Sequence, residues 1–286
     1  MLAYLNIQGK IFEFDNLILT DSGKTYKFSK FIASGGNSVV YEVLDEREEK
    51  VYALKFLKFL NQKEDFDREV ELMKQFSAPG YIDNFITLSE TGNLVGYETT
   101  KGRKKTRTGK TIDIPFFIMD RADDQTIKDF LCQEQLSEKD EQEIFPYIQK
   151  LAESLKLIHE KDYVHRDIKP KNILMQGTVP KIADFGLMVK ENECLEKKAP
   201  KFWPTPEYIS LCDESEHCSH KQTDVFQLGC IFYFLYTGQY PIGIFNVEDI
   251  SGYKMEPVIK KMLSYSKEDR YSDGNELYLD IMRQLT

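Results

Sequence analysis

The sequence predicts an α+β chain with a strand-rich front and a helical back, and three observations predict it. Short runs of β-branched and aromatic residues, parted by Asp-Ser-Gly, Ser-Gly-Gly and charged turns, fill much of the first 120 residues. Beyond residue 137 the apolar positions fall three and four apart, the period of a helix with one buried stripe. Residues 224–237 are apolar nearly all round, as a helix buried in the middle of a lobe should be.

Taken in order, runs 11–19, 26–32, 39–44, 51–56 and 116–119 predict a small antiparallel sheet. Within it, residues 65–76 carry Phe66, Val70, Met73 and Phe76 at helical spacing and stop at Ser77-Ala78-Pro79-Gly80, so one helix is inserted in the sheet. Ser137 and Asp140 suit a capping box, followed by the stripe Ile144, Ile148, Leu151, Leu155 and Ile158. A hinge at residues 120–124 is expected, with a small lobe over 26–119, a large lobe over 125–286 and a ligand cleft between them. The first 25 residues form an extension, read either as extra strands on the small lobe or as a partner-binding segment.

The 286 residues, 41% hydrophobic and 30% charged, are enough for a sizeable core. Lysine plus arginine number 38 against 47 acidic residues, and the resulting charge of −9 argues against nucleic acid as the main partner. The longest apolar run, residues 228–236, is far short of the roughly 20 residues of a membrane span, and residues 1–10 lack a signal-peptide core. Five scattered cysteines, Cys132, Cys194, Cys212, Cys218 and Cys230, fit a reducing compartment, so a soluble, cytoplasmic protein is expected. Nothing in the sequence sets the oligomeric state.

The chemistry is concentrated in His165-Arg166-Asp167-Ile168-Lys169-Pro170-Lys171-Asn172 and in Asp184-Phe185-Gly186. Hard divalent cations take oxygen ligands, so the Asp184 carboxylate, the Asn172 amide oxygen and nucleotide phosphates would make a suitable cage. Asp167 is placed to orient an attacking hydroxyl and accept its proton, and Lys169 to balance charge on a transferring phosphoryl group.

These motifs resemble those of the eukaryotic-type protein kinase family, over nearly the whole chain. The resemblance implies a bilobal α+β kinase fold, ATP and Mg2+ as cofactors, and transfer of the γ-phosphoryl group to serine or threonine of protein substrates, the Lys169 pattern favouring that acceptor class. Ala53-Leu54-Lys55 is similar to the strand whose lysine holds the α and β phosphates, and Glu69 to its ion-pair partner. Ile32, Ala33, Ser34 and Gly35 would cover the nucleotide, Val40, Ala53 and Leu174 would sandwich adenine, Met119 would stand as gatekeeper, and Asp120 to Ala122 would form the hinge. Met73, His165 and Phe185 would stack in a column anchored by Asp224; Gly186 closes the Asp-Phe-Gly motif. Thr205-Pro206-Glu207 resembles the Ala-Pro-Glu element, and Arg270 the arginine that pairs with Glu207.

The chain also departs from the family pattern. The phosphate-covering loop reads Ala33-Ser34-Gly35-Gly36-Asn37-Ser38-Val39-Val40 and keeps only the middle glycine, Gly35. Between Gly186 and Pro206 the only hydroxyl is Thr205, so Glu191, Glu193 or Glu196 is expected to give Arg166 the negative charge that a loop phosphate would otherwise supply, or no such switch operates. Pro200 replaces a threonine that helps hold the catalytic groups, which leaves a small-molecule kinase as an alternative; the reduced glycine loop leaves a nucleotide-binding pseudokinase as another.

Residues 101–110, with six basic side chains, read first as a solvated loop, with self-phosphorylation at Thr106 or Thr108 and nucleic-acid contact as sharper readings. Cys212, His217, Cys218 and His220 match no standard zinc spacing and read as a surface loop before a metal site. Two Gly-Lys-Thr triplets lack the glycine a P-loop needs, having Ile18 and Lys104 there instead. The acidic stretch 123–143 reads as a solvated face, with attraction of basic substrates as the alternative.

Overall fold

The computed structural model describes residues 3–7, 10–36, 38–100, 106–123, 126–127, 129, 141–193, 220–239 and 247–286. They form two compact units, one of residues 1–82 and 86–122, the other of residues 83–85 and 123–286.

The first unit is one eight-stranded antiparallel sheet with a helix. Its strands are β1 (Ala3–Ile7), β2 (Lys10–Phe14), β3 (Leu17–Leu19), β4 (Thr25–Ser34), β5 (Ser38–Asp45), β6 (Lys50–Leu57), β7 (Leu88–Thr99) and β8 (Arg107–Asp120), in spatial order β1-β2-β7-β8-β6-β5-β4-β3. Strand residues alternate between faces, so the register sorts the side chains. Opposite pairs Val39↔Phe56, Tyr41↔Leu54 and Val43↔Tyr52 share one face, where Phe56 lies 6.0 Å from the ring of Phe14 and 6.1 Å from that of Tyr41. The other face carries Val40↔Lys55 and Ala53↔Met119, and there α1 (Lys63–Phe76) packs Phe66 against Phe117 at 5.3 Å.

Residues 10–21 are part of this sheet. Strand β2 pairs with β7, β3 pairs with β4, and the Asp21 amide donates to the Thr91 carbonyl at 2.9 Å, so the segment joins β7 to β4. Phe14 and Ile18 point inward and are buried, whereas Leu17 and Leu19 face solvent. The run expected over 11–19 is broken at Asp15 and Asn16, where the chain passes from one strand partner to the other. Strand β7 was not expected, because Thr, Glu, Asn and two glycines dilute its pattern. Those glycines have a packing reason: a Cβ on Gly96 would lie 2.8 Å from the Phe14 ring.

The second unit is mainly helical, with α2 (Glu141–His159), α3 (Lys221–Thr237), α4 (Glu256–Met262) and α5 (Gly274–Leu285). The predicted stripe of α2 is buried along its length, and α3 is buried nearly all round. Helix α5 starts under an Asp273 cap, whose Oδ1 accepts the Glu276 amide at 2.8 Å. Its first residue must be glycine, since a Cβ on Gly274 would meet the Lys156 backbone nitrogen at 2.6 Å. Two ribbons complete the unit: β9 (Tyr163–Val164) pairs with β12 (Val189–Lys190), and β10 (Ile173–Gln176) with β11 (Val179–Ile182). The loops 165–172 and 183–188 leave these ribbons side by side. Ser137 and Asp140 lie outside the described residues, among which no helix is long and apolar enough to cross a membrane.

Candidate active site

The 165–172 loop is held from below by α3. Asp224, fully buried, accepts the backbone N–H of His165 at 2.6 Å and of Arg166 at 2.8 Å. One helical turn on, Gln227 Oε1 accepts the Ile168 amide at 2.9 Å and its Nε2 donates to the Arg166 carbonyl at 3.3 Å. These four bonds fix Arg166 at φ 68°, a left-handed conformation costly for a side chain of its size. Asp184 has the same φ of 68°, so both motifs carry backbone strain next to their polar groups.

Pinned in this way, the loop gathers three predicted residues. Lys169 Nζ reaches the Asp167 carboxylate at 2.7 and 2.6 Å, and Asn172 Nδ2 donates to the Asp167 carbonyl and to its Oδ2, each at 2.9 Å. The Asn172 carbonyl accepts the Ala183 amide at 2.9 Å, which seats Asp184, exposed, immediately beside Asn172. Because both Asn172 amide bonds use Nδ2, its Oδ1 is the atom left to face a cation. An uncharged oxygen beside a carboxylate is a donor set suited to a hard divalent metal.

Behind them the His165 ring meets Phe185 edge-on at 5.9 Å, and Phe185 meets Phe85 at 5.8 Å. His165 Nδ1 accepts the Asp167 amide at 3.3 Å, so its proton is on Nε2, a buried atom with no hydrogen-bond partner among the described residues. Gly186 follows as the half-buried start of a turn. Leu174, half-buried on β10, pairs with Lys181 and bridges to Thr126.

In the first unit, Lys55 Nζ and Glu69 Oε1 are 2.7 Å apart, with side chains only 11% and 6% exposed. The ammonium also lies 5.8 Å from the Phe117 ring centre. The register lines up Ala33, Val40 and Lys55 across β4, β5 and β6, with Ala53 two residues from Lys55 and opposite Met119. Ile32 is half-buried within β4, while Ser34, which ends that strand, and Gly35 are exposed. Asp120 ends β8; its carboxylate accepts from Thr87 Oγ1 and lies 3.5 Å from Lys50. Ala122 is buried, and its carbonyl accepts from Arg121. Met73 is buried on α1.

Two of the three glutamates offered as a charge near Arg166 have described partners. Glu191 pairs with Lys221 at 3.0 Å, and Glu193 accepts the Lys190 amide at 3.1 Å. Lys221 also binds Asp162 at 3.0 Å. Burial would lower the Lys221 pKa, but the hydrogen bonds it donates to Glu191 and Asp162 outweigh it and hold the ammonium above its ordinary value. The same bond lowers the Asp162 carboxyl. Arg270 donates to the carbonyls of Ser264, Gln222 and Tyr265 and lies over the Phe226 ring at 4.7 Å. Its expected partner Glu207 lies outside the described residues, as do Asp124, Glu196, Pro200, Thr205, Cys212, His217 and Cys218. The described part of the basic stretch is tied down: Arg107 binds Glu13 at 2.9 Å and Asp15 at 2.7 Å.

Sequence reasoning missed His159, Gln227 and Lys221. A lone glutamine three residues after Asp224 in an apolar helix was a readable signal; the other two are recognisable only by what they touch.

The chain belongs to the protein kinase domain family, whose family model matches residues 26–284, and its two units are those of the bilobal α+β kinase fold. It is 25% identical over 276 residues to serine/threonine-protein kinase 33 of Bos taurus, covering 91% of this chain and 51% of that protein. It is 26% identical over 243 residues to serine/threonine-protein kinase polo of Drosophila melanogaster, covering 82% and 38%. A probable serine/threonine-protein kinase PknB of Lactococcus lactis is 23% identical over 282 residues, covering 90% and 41%. The chain thus spans about half the length, or less, of these curated relatives.

Proposed function

We propose that this protein kinase transfers the γ-phosphoryl group of ATP, with Mg2+, to serine or threonine hydroxyls of protein substrates. One observation carries the reading: Asp167, bonded to both Lys169 and Asn172, sits one backbone hydrogen bond away from the segment that delivers Asp184.

Asp167 orients the acceptor hydroxyl and takes its proton as the new oxygen–phosphorus bond forms and the bond from the γ-phosphorus to the bridging oxygen breaks, releasing ADP. Lys169, already beside Asp167, supplies positive charge to the phosphoryl group in flight. Asn172 and Asp184 would hold Mg2+, which neutralises charge on the β and γ phosphates. Lys55, kept in place by Glu69, binds the α and β phosphates. The serine/threonine assignment is supported by Lys169 and by the printed names of the three relatives.

The test is purified protein with labelled ATP, Mg2+ and generic protein substrates. Label on serine or threonine that falls by at least about a hundredfold in Asp167→Asn, with nucleotide binding kept, is the expected outcome. Label persisting in Asp167→Asn, or absent from the wild type, would overturn the reading.

A further inference from the structure

The phosphate-covering loop lacks its flanking glycines, yet one side chain outside it holds its tip. Lys58, just beyond the end of β6, donates from Nζ to the carbonyl oxygen of Gly35 at 2.5 Å. Ala33↔Val40 and Ser34↔Val39 continue the β4–β5 pairing, Ser38 pairs with Leu57, and the Gly35 amide is spent on the Ser38 carbonyl at 3.0 Å. Nothing lies within 4 Å of where a Gly36 Cβ would be, and neither glycine has the positive φ that would demand glycine. The space at Gly36 is thus open, and neither glycine carries a side chain that would restrict its backbone.

A trans peptide is planar, and its C=O and N–H point in opposite directions. Fixing the Gly35 carbonyl on Lys58 therefore fixes the direction of the Gly36 N–H on the far side of the same peptide. A cation on the carbonyl also polarises that peptide and strengthens its N–H as a donor. Among the described residues the Gly36 amide has no protein partner. We propose that Lys58 is a positioning residue that aims and polarises the Gly36 amide as a phosphate donor, replacing the preorganisation lost with the flanking glycines. The proposal rests on the ATP-binding reading above. It also ties the loop to the strand that carries Lys55, three residues earlier.

Lys58→Met is expected to raise the KM and Kd for ATP about three- to tenfold, the range for a partly exposed charge-assisted hydrogen bond, with kcat within about twofold of wild type. Lys58→Arg should restore binding, Lys58→Gln, a neutral donor, should fall between, and Lys27→Met, an equal charge change on the same sheet, should bind ATP as wild type does. Unchanged ATP affinity in both Lys58→Met and Lys58→Gln, failure of arginine to restore it, or a fall in kcat in step with melting temperature would overturn the proposal. Wild-type protein that binds no ATP would instead remove the nucleotide reading, a result distinguishable because it needs no Lys58 variant.

Discussion

His159 donates from Nε2 to Asp224 Oδ2 at 3.0 Å while its Nδ1 accepts the Gly274 amide at 2.8 Å. The acceptor role of Nδ1 puts the single proton on Nε2, so one buried ring joins the end of α2, the start of α5 and the aspartate that aims the 165–172 loop. His159→Leu would strand the buried Gly274 N–H and remove one donor from a buried carboxylate. It should cost about 2–4 kcal/mol in urea unfolding and lower kcat more than it raises KM for ATP. A loss under about 0.5 kcal/mol would contradict this.

Lys55 and Glu69 form a pair whose separation from water makes either member costly alone. Lys55→Met and Glu69→Gln should each destabilise the protein by about 3 kcal/mol, and the double variant by less than their sum, with coupling above about 1 kcal/mol. Additive losses in a denaturant double-mutant cycle would show the two groups to be independent.

The Lys221 cluster predicts a stability window in pH. The Asp162 pKa is depressed on folding, so its contribution is complete above the ordinary aspartate value of about 3.9 and is lost as pH falls through the lower folded value. The Lys221 pKa is raised, so its contribution is complete below about 10.4 and is lost as pH rises through the higher folded value. Lys221→Met should lower Tm by about 2–4 °C near neutral pH and by progressively less towards either extreme. A Tm difference constant from acid to alkali would refute the assignment.

The segment ahead of the family match is predicted to be structural. Phe14→Ala should cost about 3–5 kcal/mol, because Phe14 fills the sheet interior against Phe56 and over Gly96. Leu17→Ala, at a side chain that is 58% exposed, should change stability by less than about 0.5 kcal/mol. Equal effects in denaturant titrations would mean that the segment does not pack as described.

Much of this was readable beforehand where the signal is local. The stripe of α2, the all-apolar α3 and the spacing of Phe66, Met73 and Phe76 on α1 follow from period alone, because each helix buries a face set by its own residues. Strand β7 escaped because Gly92 answers to the Phe116 ring, 24 residues later, and Gly96 to the Phe14 ring, 82 residues earlier, and neither relation is periodic. Glu191, Glu193 and Glu196 stood as alternatives for a charge near Arg166, because charge alone does not choose a partner; Glu191 pairs with Lys221 and Glu193 accepts the Lys190 amide.

By itself the sequence determined the chemical groups, since Asp167, Lys169, Asn172 and Asp184 lie within two short runs whose residue types match phosphoryl transfer. Only the tertiary structure decided how those groups are aimed. Asp224 and Gln227 hold strained backbone from 58 or more residues away, and residues 10–21 complete a sheet that their own pattern could not assign. The physical reason is that periodicity and residue chemistry are properties of neighbours in the chain, whereas buried hydrogen bonds and edge pairing are chosen among distant partners by which arrangement leaves no polar group unsatisfied.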